Sequence, residues 1–292
     1  MSLRVVVNAD DLGLHVAVRR AVDRLSVLGC LKSASVLANG PDVVAAARVE
    51  GVSLGAHLNI LRGRPLSPPH EIRSLVGDDG LFLGRYAALF HRYATGALRL
   101  TEVELEWSRQ VQRLLELGMR ISHVDGEKHT HVWPTLLPVA ASIAERFAVP
   151  FLRVPRERWR LNASWTGQAR VLTLRWWLRA ADSPFVRGTV RATDEVWGIG
   201  QKGEQLTAAR FVADFSDPPE PTAAASRTVE IVCHPGDELP HDGDLPSQFG
   251  TMGVRAGWRP EYQNLADSAW IEAFSARGWK FASFEDLAND GR

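Results

Sequence analysis

Residues 3–11 read Leu3-Arg4-Val5-Val6-Val7-Asn8-Ala9-Asp10-Asp11. Leu3 to Asn8 is a near-continuous apolar run, the pattern of a strand buried on both faces, and such strands belong to parallel sheets covered by helices. The run stops on two adjacent carboxylates. Three more stretches repeat the theme of an apolar run ending in acidic or histidine-rich sequence: Gly55-Ala56-His57-Leu58-Asn59, His123-Val124-Asp125-Gly126-Glu127-Lys128-His129-Thr130-His131, and Cys233-His234-Pro235-Gly236. If the four strands lie parallel in one sheet or barrel, their carboxyl ends deliver these side chains to a common mouth, the usual place of chemistry in such folds. That is the layout of a metal hydrolase.

Working outward, strands and helices alternate. Val18, Ala21, Val22, Leu25 and Leu28 recur at helical spacing before Gly29, a natural stop. Ser33 to Leu37 is a second strand, Pro41 opens a short helix ending near Gly51, and Val52 to Leu58 is a third strand. Arg62 to Gly84 is rich in Pro, Gly and charge and reads as a long loop over the mouth. Thr101 to Leu117 is the clearest helix, with Thr101 and Glu104 as a capping box, a stripe of Trp107, Val111, Leu114 and Leu115, and Gly118 as terminator. Ile121 to Asp125 is a strand, a helix runs from Pro134 to about Phe147, and Pro150 to Val154 is a further strand. Between Arg156 and Gly200 the periodicity blurs and Arg and Trp crowd together; an inserted helical hairpin, a substrate cover and an oligomer contact, hence a homodimer, are open readings. Asp217 to Ser226 is a linker by composition, Thr228 to Cys233 a strand, Pro235 to Pro260 a long loop, Ser268 to Arg277 a helix and Lys280 to Ser283 a last strand. The order predicts an α/β fold, a parallel sheet closed or partly closed into a single barrel domain spanning residues 1–292.

Composition narrows the function. The 292 residues are 45% hydrophobic and carry 34 basic and 34 acidic side chains, so no global field favours nucleic acid or an anionic membrane. The first apolar stretch, begun by Arg4 and ended by Asp10, is too short for a signal-peptide core, and no run approaches a membrane span. Cys30 and Cys233 lack the spacing of a zinc ribbon or a disulfide scaffold. The expected location is the cytoplasm.

Adjacent aspartates on a regular strand point to opposite faces, so the chain must turn for Asp10 and Asp11 both to reach the mouth; a helix cap by Asp11 is the bland alternative. His57 and Asn59, two residues apart, share a face. His123, Asp125, Glu127, His129 and His131 alternate, so an extended backbone would project all five to one side, at heavy desolvation cost without a cation. His234, at a strand end before Pro235-Gly236, is the natural proton donor. Among ten tryptophans, Trp133 beside the histidine run and Trp258 in the late loop are the candidates for stacking on a sugar.

At this point the four stretches resemble the YdjC-like (ChbG/HpnK) carbohydrate deacetylase family. Residues 8–13 are similar to its NADDFG opening, residues 55–59 to GxHxN, residues 123–131 to HxDSHHHxH and residues 233–236 to CHPG; Arg153-Val154-Pro155 and Arg259-Pro260-Glu261 are weaker echoes. The resemblance implies a distorted parallel (β/α) barrel and removal of an N-acetyl group from an amino sugar or short oligosaccharide with one divalent metal ion, magnesium, zinc or a similar cation. It carries the metal ligands over to Asp11, His57 and Glu127. Glu127 stands where the family pattern has histidine, which favours harder cations, and His129 or His131 is the alternative third ligand. It further implies Asp10 as the base that takes a proton from water and His234 as the acid that protonates the departing amine, with Asn59, Asp125, His129, His131 and Arg153 in contact with substrate or supporting these groups. Two rival readings remain: another metal hydrolase, acting on a lipid-linked or hopanoid-pathway glycoconjugate, and a catalytically silent sugar-binding protein.

Overall fold

The computed structural model describes residues 2–160, 163–180, 190–216, 226–250 and 253–290. Its strands are β1 (Ser2–Leu12), β2 (Ser33–Val36), β3 (Ser53–Leu58), β4 (Ile121–Gly126), β5 (Phe151–Leu152), β6 (Glu195–Trp197), β7 (Ser226–Cys233) and β8 (Lys280–Phe281). Between and after them run α1 (Val16–Val27), α2 (Val43–Ala46), α3 (Tyr86–Ala94), α4 (Leu100–Glu116), α5 (Leu137–Arg146), α6 (Trp165–Ala180), α7 (Ala208–Phe215), α8 (Arg255–Leu265), α9 (Ala269–Arg277) and α10 (Phe284–Asn289). None of these helices is long and apolar enough to cross a membrane.

Every strand pair is parallel, in the order β5-β4-β3-β2-β1-β7-β6. The apolar run that opens the chain is the centre of this sheet. Along one edge β1 pairs with β7 from Ser2 to Ala9; its other edge is shared, with β8 taking Arg4 and Val5 and β2 taking Asn8, Ala9 and Leu12. Val5, Val6 and Val7 are consequently buried on both faces. The sheet curls into a distorted parallel (β/α) barrel, as the alternating sequence predicts. Its two ends return to each other where Leu152 N–H donates to Arg191 O and Arg191 N–H to Pro150 O, both at 2.9 Å.

The helices cover the sheet with the stripes read from the sequence, with corrections at their ends. In α1, Val18, Ala21, Val22 and Leu25 are buried, but Leu28 is exposed; His15, not Asp11, caps the helix, its Nδ1 accepting from Ala17 N–H. In α4, Trp107, Val111 and Leu114 pack on the core while Leu115 faces outward. Replacing the fully buried Trp107 by alanine would cost about 3–5 kcal/mol. The Thr101 capping box is not formed, because the helix starts one residue earlier, at Leu100, behind Arg99. Part of the supposed loop 235–260 is helical: α8 begins at Arg255 and accommodates Pro260 inside it. Strand β7 starts at Ser226, and residues 217–225 of the proposed linker lie outside the described residues. The last strand is only Lys280–Phe281, and a capping box of Ser283 with Asp286 then opens α10, which has no counterpart in the sequence reading.

Candidate active site

The carboxyl ends of β1, β3, β4 and β7 converge on one cavity of about 700 Å³, lined by Asp10, Asp11, His57, Glu127, His129 and His234 among others. The two aspartates reach it together because strand alternation is broken between them: Asp11 takes φ +67° and the β1–β2 register slips between Ala9 and Leu12. This left-handed conformation is strained for an aspartate, and Gly13, at φ +90°, completes the turn.

His57 is the hinge of the cluster. Its Nδ1 lies 2.7 Å from Asp125 Oδ1, which leaves Nε2 facing Asp11 Oδ1 at 3.5 Å and Glu127 Oε2 at 3.7 Å. Asp11, His57 and Glu127 thus offer two carboxylate oxygens and one imidazole nitrogen close enough to share an ion. Asp11 Oδ1 is buried with no hydrogen-bond partner, the signature of a polar atom left for a cation. Burial, with Glu127 alongside, pushes the Asp11 carboxyl up to about 7. Burial also disfavours the Glu127 carboxylate, but His57, Lys128 and Arg62 outweigh it and hold the group down at about 2. Arg62 grips Glu127 Oε1 at 3.0 Å, so a glutamate stands at this position with a counter-ion of its own and its other oxygen turned to His57. Burial works against a charged His57, yet Asp125, reinforced by Glu127 and Asp10, raises its proton affinity well above the usual range, and a cation bound at Nε2 would take the place of that proton.

A second group, Asp10, His57 and Asp125, is as compact, but it already has a cation of its own in Arg153. Arg153, fully buried just after β5, donates both terminal nitrogens to Asp10 at 2.7 and 2.8 Å, lies 2.7 Å from Asp125 Oδ2 and donates Nε to Glu230 at 2.8 Å. A cation there would meet the guanidinium. Burial opposes ionisation of Asp10, but Arg153 prevails and holds its carboxyl well below the usual range. With only one guanidinium for three carboxylates, burial raises Glu230 to about 7. His234 sits across from Asp10, its Nε2 3.9 Å from Oδ2, while Glu261 lies 3.8 Å from its Nδ1 and accepts its backbone N–H. Burial and the cation of Lys202 pull His234 well below its usual range, so it is neutral at rest.

The histidine run does not project five groups to one face. After Gly126 the chain leaves the strand for a 3-10 turn, with Lys128 and His129 at φ +53° and +55°. His129 lines the cavity; His131 does not, its Nε2 bonding Arg153 O at 3.0 Å and so fixing the arginine's backbone. His123 is a core residue, stacked on Phe284 at 4.1 Å and seated where a Cβ on Gly55 would clash, 2.3 Å from its ring; burial takes it down to about 3. Asn59 serves the scaffold: it accepts the N–H groups of Leu61 and Arg62 and so fixes the turn that aims Arg62 at Glu127, while Gln110 of α4 holds its backbone. Trp133 and Trp258 have no exposed surface and offer no face to a sugar. Trp133 is locked among Tyr86, Phe90, Tyr93 and Trp177, and Trp258 fills the space beside Gly236, where a Cβ would lie 2.7 Å from the indole.

A model of the YdjC-like protein family matches residues 4–276. The chain belongs to this family. A mouse protein (Mus musculus) named carbohydrate deacetylase is 32% identical over 243 residues, 80% of this chain and 78% of its own length. A chitooligosaccharide deacetylase of Escherichia fergusonii is 26% identical over 240 residues, 80% of this chain and 82% of its own. An Enterococcus faecalis structure named for cellobiose-phosphate cleavage superposes with a TM-score of 0.74 at 22% identity over 98% of this chain and 99% of that one, which shows the shared fold.

Within this YdjC-like chain, sequence reasoning missed most of the cavity's far wall. Residues 62–84 line no part of the cavity except through Arg62's hold on Glu127; the wall is instead built by α6 (Ala169, Arg170, Thr173, Leu174, Trp177), by Ile199, Lys202 and Gly203, and by Glu261 of α8. Glu261 belongs to the Arg259-Pro260-Glu261 stretch, where nothing in the sequence marks its role. Lys202, which burial draws down to about 8 despite Glu261, carries no sequence signal at all.

Proposed function

We propose that this chain is a metal-dependent hydrolase that removes the N-acetyl group from an amino sugar or a short oligosaccharide. The observation that carries the reading is the donor set of Asp11, His57 and Glu127, with an unpartnered Asp11 oxygen, directly beside Asp10 and His234 in one cavity. The names of the relatives supply the substrate class, and the neutral charge balance fits an uncharged sugar.

Asp11, His57 and Glu127 would hold the cation, magnesium, zinc or a similar divalent ion. When bound it supplies Lewis-acid polarisation of the acetyl carbonyl and of water. The chain's own residues do the rest. Arg153 keeps Asp10 ionised, so Asp10 Oδ2 is a standing acceptor for the proton of the attacking water. His234, neutral at rest and facing that oxygen, takes the proton on Nε2 and delivers it to the departing amine. Asp125 fixes the His57 tautomer so that Nε2 points to the cation site.

The test is metal analysis of the purified protein with acetate release measured on a panel of N-acetylated sugars. Bound divalent metal and acetate release are expected, both abolished by chelation and by Asp11→Ala. Phosphate release from phosphoesters, or sugar binding without turnover in the metal-loaded protein, would overturn the assignment.

A further inference from the structure

Helix α6 builds one wall of the cavity with Ala169, Arg170, Thr173, Leu174 and Trp177. Its next face does something else. Trp165, Leu172 and Trp176 are 80%, 52% and 65% exposed, and the spacing of 7 and 4 residues aligns them in one stripe, since each step turns the helix by about 100°. Three large apolar side chains in line on a solvent-facing helix are unusual for an isolated surface.

The charges on the helix tell what would cover it. Going round the axis from the cavity wall, the stripe comes next and then Arg179 and Arg175; no Asp or Glu occurs from residue 163 to 180. Arg175 and Arg179 have no ion-pair partner among the described residues, and the adjoining groove of about 400 Å³ sets five arginines against three carboxylates, of which Glu195 is already shared by Arg158, Arg160 and Arg227. Trp and Leu edged by Arg that finds no counter-ion among the described residues is the pattern of a helix that lies in a bilayer interface, with indoles at headgroup depth and guanidinium groups on lipid phosphates. A second copy meeting this one stripe to stripe would bring the same excess, five arginines against three carboxylates of which Glu195 is already engaged, and so would not balance them. A neutral glycan would leave them unpartnered.

We propose that the stripe Trp165–Leu172–Trp176, with Arg175 and Arg179, docks the protein on the surface of an anionic bilayer and so holds the cavity wall at the headgroups. The inference is independent of the reaction assigned to the cavity. Neutral overall charge does not oppose it, because headgroup attraction is local and fades within a Debye length.

The test is co-sedimentation of the full chain with phosphatidylcholine vesicles with and without phosphatidylglycerol. Binding is expected only with phosphatidylglycerol, weakened by salt and accompanied by a blue shift of tryptophan emission. Trp165→Ser with Trp176→Ser should lower partitioning about tenfold or more while the thermal melt and far-ultraviolet circular dichroism of the chain are retained. Should that variant not fold, Arg175→Glu with Arg179→Glu must lose binding to the anionic vesicles. The proposal is overturned if the wild-type chain stays in solution at low salt, if either folded variant binds as well as wild type, or if the tryptophan changes instead dissolve a dimer or release an insoluble glycan.

Discussion

The two sides of the cavity are built on opposite plans. On the sheet side, Asp10, Asp125, Glu230 and Arg153 are buried at or near strand ends, with the Arg153 guanidinium 2.7–2.8 Å from all three carboxylates, and His57 joins them through Asp125. On the far side, α6 and the 199–203 turn present apolar and basic groups, and much of α6 is exposed. The first plan fixes atoms to the precision that bond breaking requires. The second leaves a surface free to select what enters. The proposed function thus places reaction and recognition on different parts of the chain, and each assignment can be broken separately.

The largest effect should come from the arginine that balances the sheet side. Arg153→Met strands three carboxylates in the interior and is expected to cost about 3–5 kcal/mol in denaturant unfolding; a variant as stable as wild type would mean the cluster is not held as described. Asp10→Asn should leave metal content unchanged while kcat falls about 10²–10⁴-fold, and an equal loss of metal would move Asp10 into the cation site. Third comes a pH effect in the chelated protein. Asp11 in the fold titrates at about 7, above its ordinary 3.8, so the folded state keeps a proton that the unfolded chain releases, and stability should fall as pH rises from about 4 to about 7. Asp11→Asn should flatten that fall, by an amount on the order of a few kcal/mol, in thermal melts across the range. The smallest effect belongs to the far wall: Lys202→Met should raise KM about 5- to 30-fold with the melting temperature unmoved, whereas a collapse of kcat alone would place Lys202 with the reacting groups.

The same division explains what could be read without coordinates. Runs such as Val5-Val6-Val7 and Val229-Glu230-Ile231-Val232 encode strands by burial alone, and carboxylates and imidazoles just after such runs go where a parallel sheet sends them; Asp10, Asp11, His57, Glu127 and His234 therefore converge as the spacing implies. What failed was extrapolation of strand geometry past its end. Within β4 the alternation holds, and His123 and Asp125 share a face, with His123 deeper in the interior; it is lost where Lys128 and His129 turn left-handed, and His131 packs into the interior instead of lining the cavity. Position in sequence draws Trp133 and Trp258 toward a sugar, although filling space, as they do beside Phe90 and Gly236, is what an indole does most often. The far wall was illegible because α6 has buried and exposed tryptophans side by side, Trp177 within and Trp176 without, which erases the contrast a helical period depends on.

One feature of the barrel has a mechanical consequence. At the seam, residues 150–152 meet 190–191 through two isolated backbone hydrogen bonds, whereas β1 is laddered to β7 from Ser2 to Ala9. Deuterium should enter the amides of Leu152 and Arg191 long before those of Val5 or Val7. The barrel is thus unevenly sewn: Asp10, Asp11 and His57 ride on β1 and β3, each laddered to a neighbour on both edges, and exchange should start at the seam rather than beneath them.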